Sequence, residues 1–176
     1  MTIKKETLTD KDFEIIKKWI KDNGIKYLGD YKIVDYKNIT KEKLLNLTYF
    51  TINYDYIPKE FFKLKNIKKL IIINRENIPK EIYNFKNLEE LIIGGSKRGY
   101  KIDKLPEGIT KLKKLTSIQL GFINLTKLPK ELFDLVNLQK LIISNLKEIN
   151  LSFNKIKKLS KNITNIKKLE MLDISN

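Results

Sequence analysis

One apolar spacing occurs five times in this chain. Four of the runs open on Ile57-Pro58, Ile78-Pro79, Leu105-Pro106 and Leu128-Pro129, which together use every proline present. After the opening residue, apolar side chains follow at +4, +7, +10, +13 and +15. The first run is Ile57, Phe61, Leu64, Ile67, Leu70 and Ile72, and the second is Ile78, Ile82, Phe85, Leu88, Leu91 and Ile93. The third is Leu105, Ile109, Leu112, Leu115, Ile118 and Leu120, and the fourth is Leu128, Leu132, Leu135, Leu138, Leu141 and Ile143. A fifth lacks the proline but keeps the pattern: Leu159, Ile163, Ile166, Leu169, Leu172 and Ile174. Internal repetition of this kind dictates the architecture before local propensity does.

Each run carries two periods. The +4, +7, +10 spacing lays apolar residues on one stripe of a helix or 3₁₀-like turn. The last two apolar residues are two apart, as in Leu70-x-Ile72, so they share one face of a strand. Proline suits the opening of the helical part, where its φ is preset and its missing N–H is not needed. One unit of this size cannot bury its own stripe. Stacked copies can, with like strands pairing in parallel and the stripes merging into one core.

Leu138-x-x-Leu141-x-Ile143 and Leu169-x-x-Leu172-x-Ile174 match the strand half of the leucine-rich repeat, and Leu146-x-x-Ile149-x-Leu151-x-x-Asn154-x-Ile156 matches its pattern throughout. The chain therefore resembles a leucine-rich-repeat protein. Its opening L-P-x-x-[IL]-x-x-L is similar to the helical half of the bacterial and Ras-suppressor-like subclasses, with repeats of about 23 residues. The resemblance implies an α/β solenoid: a curved right-handed stack, a parallel β-sheet on the concave face, and short helices or 3₁₀ turns on the convex face.

Three departures bear on this expectation. The openings are unevenly spaced, at 21, 27, 23 and 31 residues. The turn-rich stretch from Gly94 to Gly99 reads as a loop bulging from one coil, and the longest gap holds two strand candidates, Leu138–Ile143 and Leu146–Leu151, only eight residues apart. Either one is an inserted loop or a compressed coil joins them. The family's asparagine position holds Asp55, Arg75, Ser96, Ile123, Leu146 and Asn154, which predicts irregular coils. Finally, the last repeat ends on a strand with no polar cap behind it, which leaves self-association through the strand around Leu172–Ile174 open as an expectation.

Residues 9–23 read as an amphipathic helix. Thr9 or Asp10 serves as N-cap, and Asp12 stands where a capping-box acid would. Phe13, Ile16, Trp19 and Ile20 fall on one face, and Gly24 is a stop. The sole tryptophan is expected to plug the open end of the repeat core. Leu28-x-x-Tyr31-x-Ile33 and Leu47-x-x-Phe50-x-Ile52 look like degenerate strand halves, giving roughly seven coils. The expected organisation is a capping helix over 1–27 and a solenoid over 28–176, within one domain.

Composition narrows the chemistry. The chain has no cysteine, so no disulfide, thiolate metal site or cysteine nucleophile is expected, and no histidine, the commonest general base and zinc ligand. No phosphate-cradling glycine loop is visible. The expectation is therefore no catalytic residue, no cofactor and no metal. With no apolar signal region and no membrane-length stretch, the chain reads as soluble and cytoplasmic, export of a trimmed or effector form being left open. A formal net charge of +15 invites a nucleic-acid reading. Yet only Arg75 and Arg98 are arginines among 36 basic residues, whereas base recognition favours arginine. The lysines recur between core positions of the helical halves, as on a solvated surface. Nucleic acid is thus the weaker partner expectation and a protein the stronger.

The resemblance places a partner on the concave wall. By register the outward residues there include Tyr49, Thr51, Lys69, Ile71, Ile73, Glu90, Ile92, Gln119, Lys140, Ile142 and Asp173, with Phe122 just past the third strand. Ile71, Ile92 and Ile142 share one register position, an apolar row of the kind that marks interfaces. Mixed-sign neighbours such as Lys69 and Glu90 would orient the partner. The expected function is a non-catalytic protein-interaction module. The alternatives are a polyanion binder using the lysine-rich surface, a substrate-targeting fragment of a larger bacterial effector, and a self-assembling structural unit.

Overall fold

The computed structural model describes residues 8–33, 35–53, 56–73, 78–94, 108–121, 132, 134–135, 137–144 and 171–173. An N-terminal helix, α1 (Asp10–Asp22), leads into a short hairpin of β1 (Tyr27–Leu28) and β2 (Tyr31–Lys32). A one-turn helix, α2 (Lys41–Leu45), precedes the repeats. Six strands then form one parallel sheet in strict sequence order: β3 (Tyr49–Ile52), β4 (Lys69–Ile73), β5 (Glu90–Gly94), β6 (Ser117–Gly121), β7 (Lys140–Ser144) and β8 (Met171–Asp173). At a strand spacing of about 4.8 Å, six such rungs span about 24 Å.

The strands fall where the two-residue period places them. Phe50 and Ile52, Leu70 and Ile72, Leu91 and Ile93, and Ile118 and Leu120 are all buried. The residues between them face away from the core and are partly covered. The helical halves are 3₁₀ turns at Lys59–Lys63, Lys80–Asn84 and Ile109–Lys111. Pro58 and Pro79 precede the first two in extended conformation, and their carbonyls accept the first turn bonds from Phe61 (2.9 Å) and Ile82 (3.2 Å). The third turn starts from Gly108 instead, at φ 103°, a backbone conformation glycine alone adopts freely. Turn and strand residues meet in a single buried cluster running from Leu8 to Leu141.

Helix α1 covers the N-terminal end of that cluster. Thr9 is its N-cap: the Thr9 hydroxyl accepts from the Asp12 amide (3.1 Å), and the Asp12 carboxylate accepts from the Thr9 amide (2.9 Å). Ile16, Trp19 and Ile20 are buried. The Trp19 ring lies 6.2 Å from Phe50 and 5.6 Å from Phe61, and its indole N–H donates to the Tyr56 carbonyl (2.8 Å). Trp19 is thus the plug its place on the helix implied.

One expectation is corrected. The segment Leu28–Ile33 is not a rung of the parallel sheet. Gly29 takes φ 57°, so Gly29-Asp30 forms a tight turn that pairs Leu28 with Tyr31 in antiparallel register. Such a turn reverses the chain, and the described sheet therefore has six rungs where about seven were expected. The hairpin seats its turn against β3. A side chain on Gly29 would come within 2.9 Å of the Tyr49 carbonyl oxygen. Of the two closely spaced strand candidates, Leu138–Ile143 contains β7, which pairs directly with β8, and Leu146–Leu151 lies outside the described residues. The loop at 95–104 and the six residues at the family's asparagine position lie outside the described residues.

Candidate functional site: the open face of the sheet

The parallel register aligns the outward residues into rows. Tyr49, Lys69, Glu90, Ser117, Lys140 and Met171 occupy one row of paired positions, and Thr51, Ile71, Ile92, Gln119, Ile142 and Asp173 the next. A third row holds Ile73, Gly94, Gly121 and Ser144. Ile71 and Ile92 are direct cross-strand neighbours, whereas Gln119 separates Ile92 from Ile142. Ile71, Ile92 and Ile142 are partly covered and not fully exposed, because adjacent rungs shield each other's flanks. Beyond Ile73 the third row passes through Gly94 and Gly121, which carry no side chains, and Gly121 is buried. For Asp173 the described feature is its backbone pairing with Ile142, and Phe122 lies outside the described residues.

Two ion pairs lie on or beside this face. Lys69 bridges Glu90 across the rung at 3.0 Å, and Lys68 bridges Glu89 at 3.3 Å beside it. Both pairs are partly solvated, so each adds little to stability. Their effect is to neutralise the face locally on one side of the isoleucine row.

A set of positions not singled out in the sequence holds the rungs together. The Asn66 side-chain amide donates to the Leu45 carbonyl (2.7 Å), Asn87 to Lys65 (2.8 Å) and Asn137 to Lys113 (2.9 Å). Each spans 21 to 24 residues and reaches one coil back. All three asparagines stand at +9 in the repeat, directly before the apolar residue at +10. Lys114 replaces asparagine in the third run and donates to the Asn87 side-chain carbonyl (2.7 Å). The recurrence of Asn at +9 was the available signal. Beside these bonds, the carbonyls of Thr48, Lys68, Glu89 and Thr116 each accept two amides from the next coil, ending at Gln139 and Lys140.

Sequential parallel strands, 3₁₀ turns between them and one stacked core define the molecule as a leucine-rich-repeat solenoid. No family model and no curated protein matches the chain. Among solved structures it is similar to an internalin of Listeria monocytogenes, at 18% identity and TM-score 0.49, over 74% of this chain and 36% of that one. It is also similar to a leucine-rich-repeat protein of Leptospira interrogans, at 20% identity and TM-score 0.33, over 78% of this chain and 52% of that one. The chain thus spans about a third and about half of these two proteins. Among the described residues, no helix is long and apolar enough to cross a membrane, and no three acidic residues converge as metal ligands.

Proposed function

We propose that this chain is a non-catalytic binding module that takes up a protein partner on the open face of its sheet. The observation that carries the reading is the adjacent Ile71–Ile92 pair beside the neutralised Lys69–Glu90 bridge. A rigid, locally neutral, apolar surface with a polar margin suits protein recognition. Ile71, Ile92, Ile142, Ile73, Tyr49 and Thr51 supply contact in this reading. Gln119, Lys140, Asp173 and the Lys69–Glu90 pair supply orientation. Pairing Lys68 and Lys69 with glutamates removes cations from this face and weighs against a polyanion there.

Affinity capture from nuclease-treated lysate tests the reading. Wild type is run beside an Ile71→Asp/Ile92→Asp variant whose circular dichroism matches it. A protein retained by wild type and lost by the variant supports the sheet face as the site. Equal retention by both removes this assignment. Retention that collapses with salt in the manner of counterion release would instead favour the polyanion reading.

A further inference from the structure

Two acids are buried among the described residues, Asp12 and Glu60, and their situations differ. Asp12 is fully occupied: the Lys63 ammonium lies 2.9 Å from each of its oxygens, and the Thr9 amide donates to it. Glu60 is only 9% exposed, yet among the described residues it has no hydrogen-bond or ion-pair partner. A buried carboxylate left unpaired is costly, and native proteins normally satisfy such groups.

Glu60 lines a groove of about 440 Å³ between α1 and the first two 3₁₀ turns. Ile15, Ile57 and Phe62 form its apolar lining, and Glu81 adds a second carboxylate. Tyr56 stands beside them at 68% exposure, the most exposed large apolar side chain among the described residues. Lys59 is the one cation in the lining; it is exposed and free to turn into solvent. The volume falls within the range of about 300–1,000 Å³ typical of ligand sites. An aromatic face, an apolar wall and an unpaired buried carboxylate together complement a planar cation attached to an apolar chain.

We infer that this groove binds a basic peptide segment of a partner protein, seating an arginine guanidinium on Glu60 and against Tyr56, with an adjoining apolar side chain on Ile15, Ile57 and Phe62. Arginine fits better than lysine, because its planar fork bonds a carboxylate bidentately and stacks on a ring. The site lies apart from the sheet face and stands or falls independently of it. Trp19 reports on it, since its indole N–H is bonded to the Tyr56 carbonyl.

The probe is acetyl-Leu-Arg-Leu-amide, compared with the analogue in which uncharged citrulline replaces arginine. Binding is followed through Trp19 emission and through the amide NMR shifts of residues 56–62. The arginine peptide should move both signals saturably, and the citrulline peptide should bind at least about tenfold more weakly. Glu60→Gln should reduce arginine-peptide binding by a similar factor without lowering the melting temperature, since it removes an unpaired buried charge. Equal binding of the two peptides by wild type overturns the inference, as does undiminished binding by folded Glu60→Gln. So does the absence of any change in either signal at about 10 mM peptide. Concentration-dependent dimerisation that Glu60→Gln abolishes would also overturn it, by assigning the groove to a basic residue of a second copy.

Discussion

Asp12 joins the N-terminal helix to the repeats through one side chain. The Lys63 ammonium first, and the Thr9 amide second, hold its carboxyl at a pKa of about 2, against 3.8 in the unfolded chain; burial opposes them but does not prevail. Because the folded pKa is the lower one, the stabilisation is present above about pH 4 and is lost as pH falls from there towards 2. The shift corresponds to about 2 kcal/mol at neutral pH. Asp12→Asn should therefore lower stability by about that amount at pH 7 and flatten the acid limb between pH 4 and 2, read by urea unfolding at a series of pH values. The asparagines before each strand act at the same scale. Asn66→Ala frees the Leu45 carbonyl at a solvated site, so the expected loss is about 1 kcal/mol. An unchanged unfolding midpoint in Asn66→Ala would mean that water satisfies that carbonyl equally well.

The hairpin and the repeats show how one pattern gives different elements. Leu28, Tyr31 and Ile33 carry the strand spacing of a repeat, but Gly29-Asp30 between them supplies a left-handed turn, and two strands of two residues each pair back on themselves. Gly29→Ala puts a side chain at φ 57° and within 2.9 Å of the Tyr49 carbonyl. It should cost about 1–3 kcal/mol and loosen β3, seen as faster amide exchange at Tyr49 and Phe50. The repeat spacing made the strands, their register and the outward rows legible, because a period of two cannot slip by one without exposing Leu70 and Ile72. The hairpin was hidden because apolar spacing outweighed the turn chemistry of Gly29-Asp30. The groove at Glu60 was hidden for another reason. It forms where α1 meets the turns at 59–63 and 80–84, and no local pattern encodes how a helix from one segment covers turns from another. The rung-to-rung bonds of Asn66, Asn87 and Asn137 were readable from their common +9 position, but only with the polar residues aligned as carefully as the apolar ones.

At the scale of the molecule, stability is a sum of rungs and the interfaces between them. The buried cluster nevertheless runs without a break from Leu8 under α1 to Leu141 in β7. The two ends differ in filling: Trp19, Phe50, Phe61, Phe62 and Phe85 form a chain of rings 4.6 to 6.2 Å apart, whereas the described core residues of the later rungs are leucine and isoleucine. The aromatic end carries the larger core side chains. The sole tryptophan sits at that end, so its emission and the circular dichroism of the whole stack report on different places. If the rungs unfold as one unit, the two melting curves superimpose, and Leu120→Ala, a fully buried position in β6, shifts both equally by about 2–5 kcal/mol. If the aromatic end is a separate unit, Leu120→Ala lowers the circular dichroism transition and leaves the Trp19 transition in place. Continuity of the core between Phe85, Leu91 and Ile118 favours the first outcome, and coincident curves that move together in Leu120→Ala are the expected result.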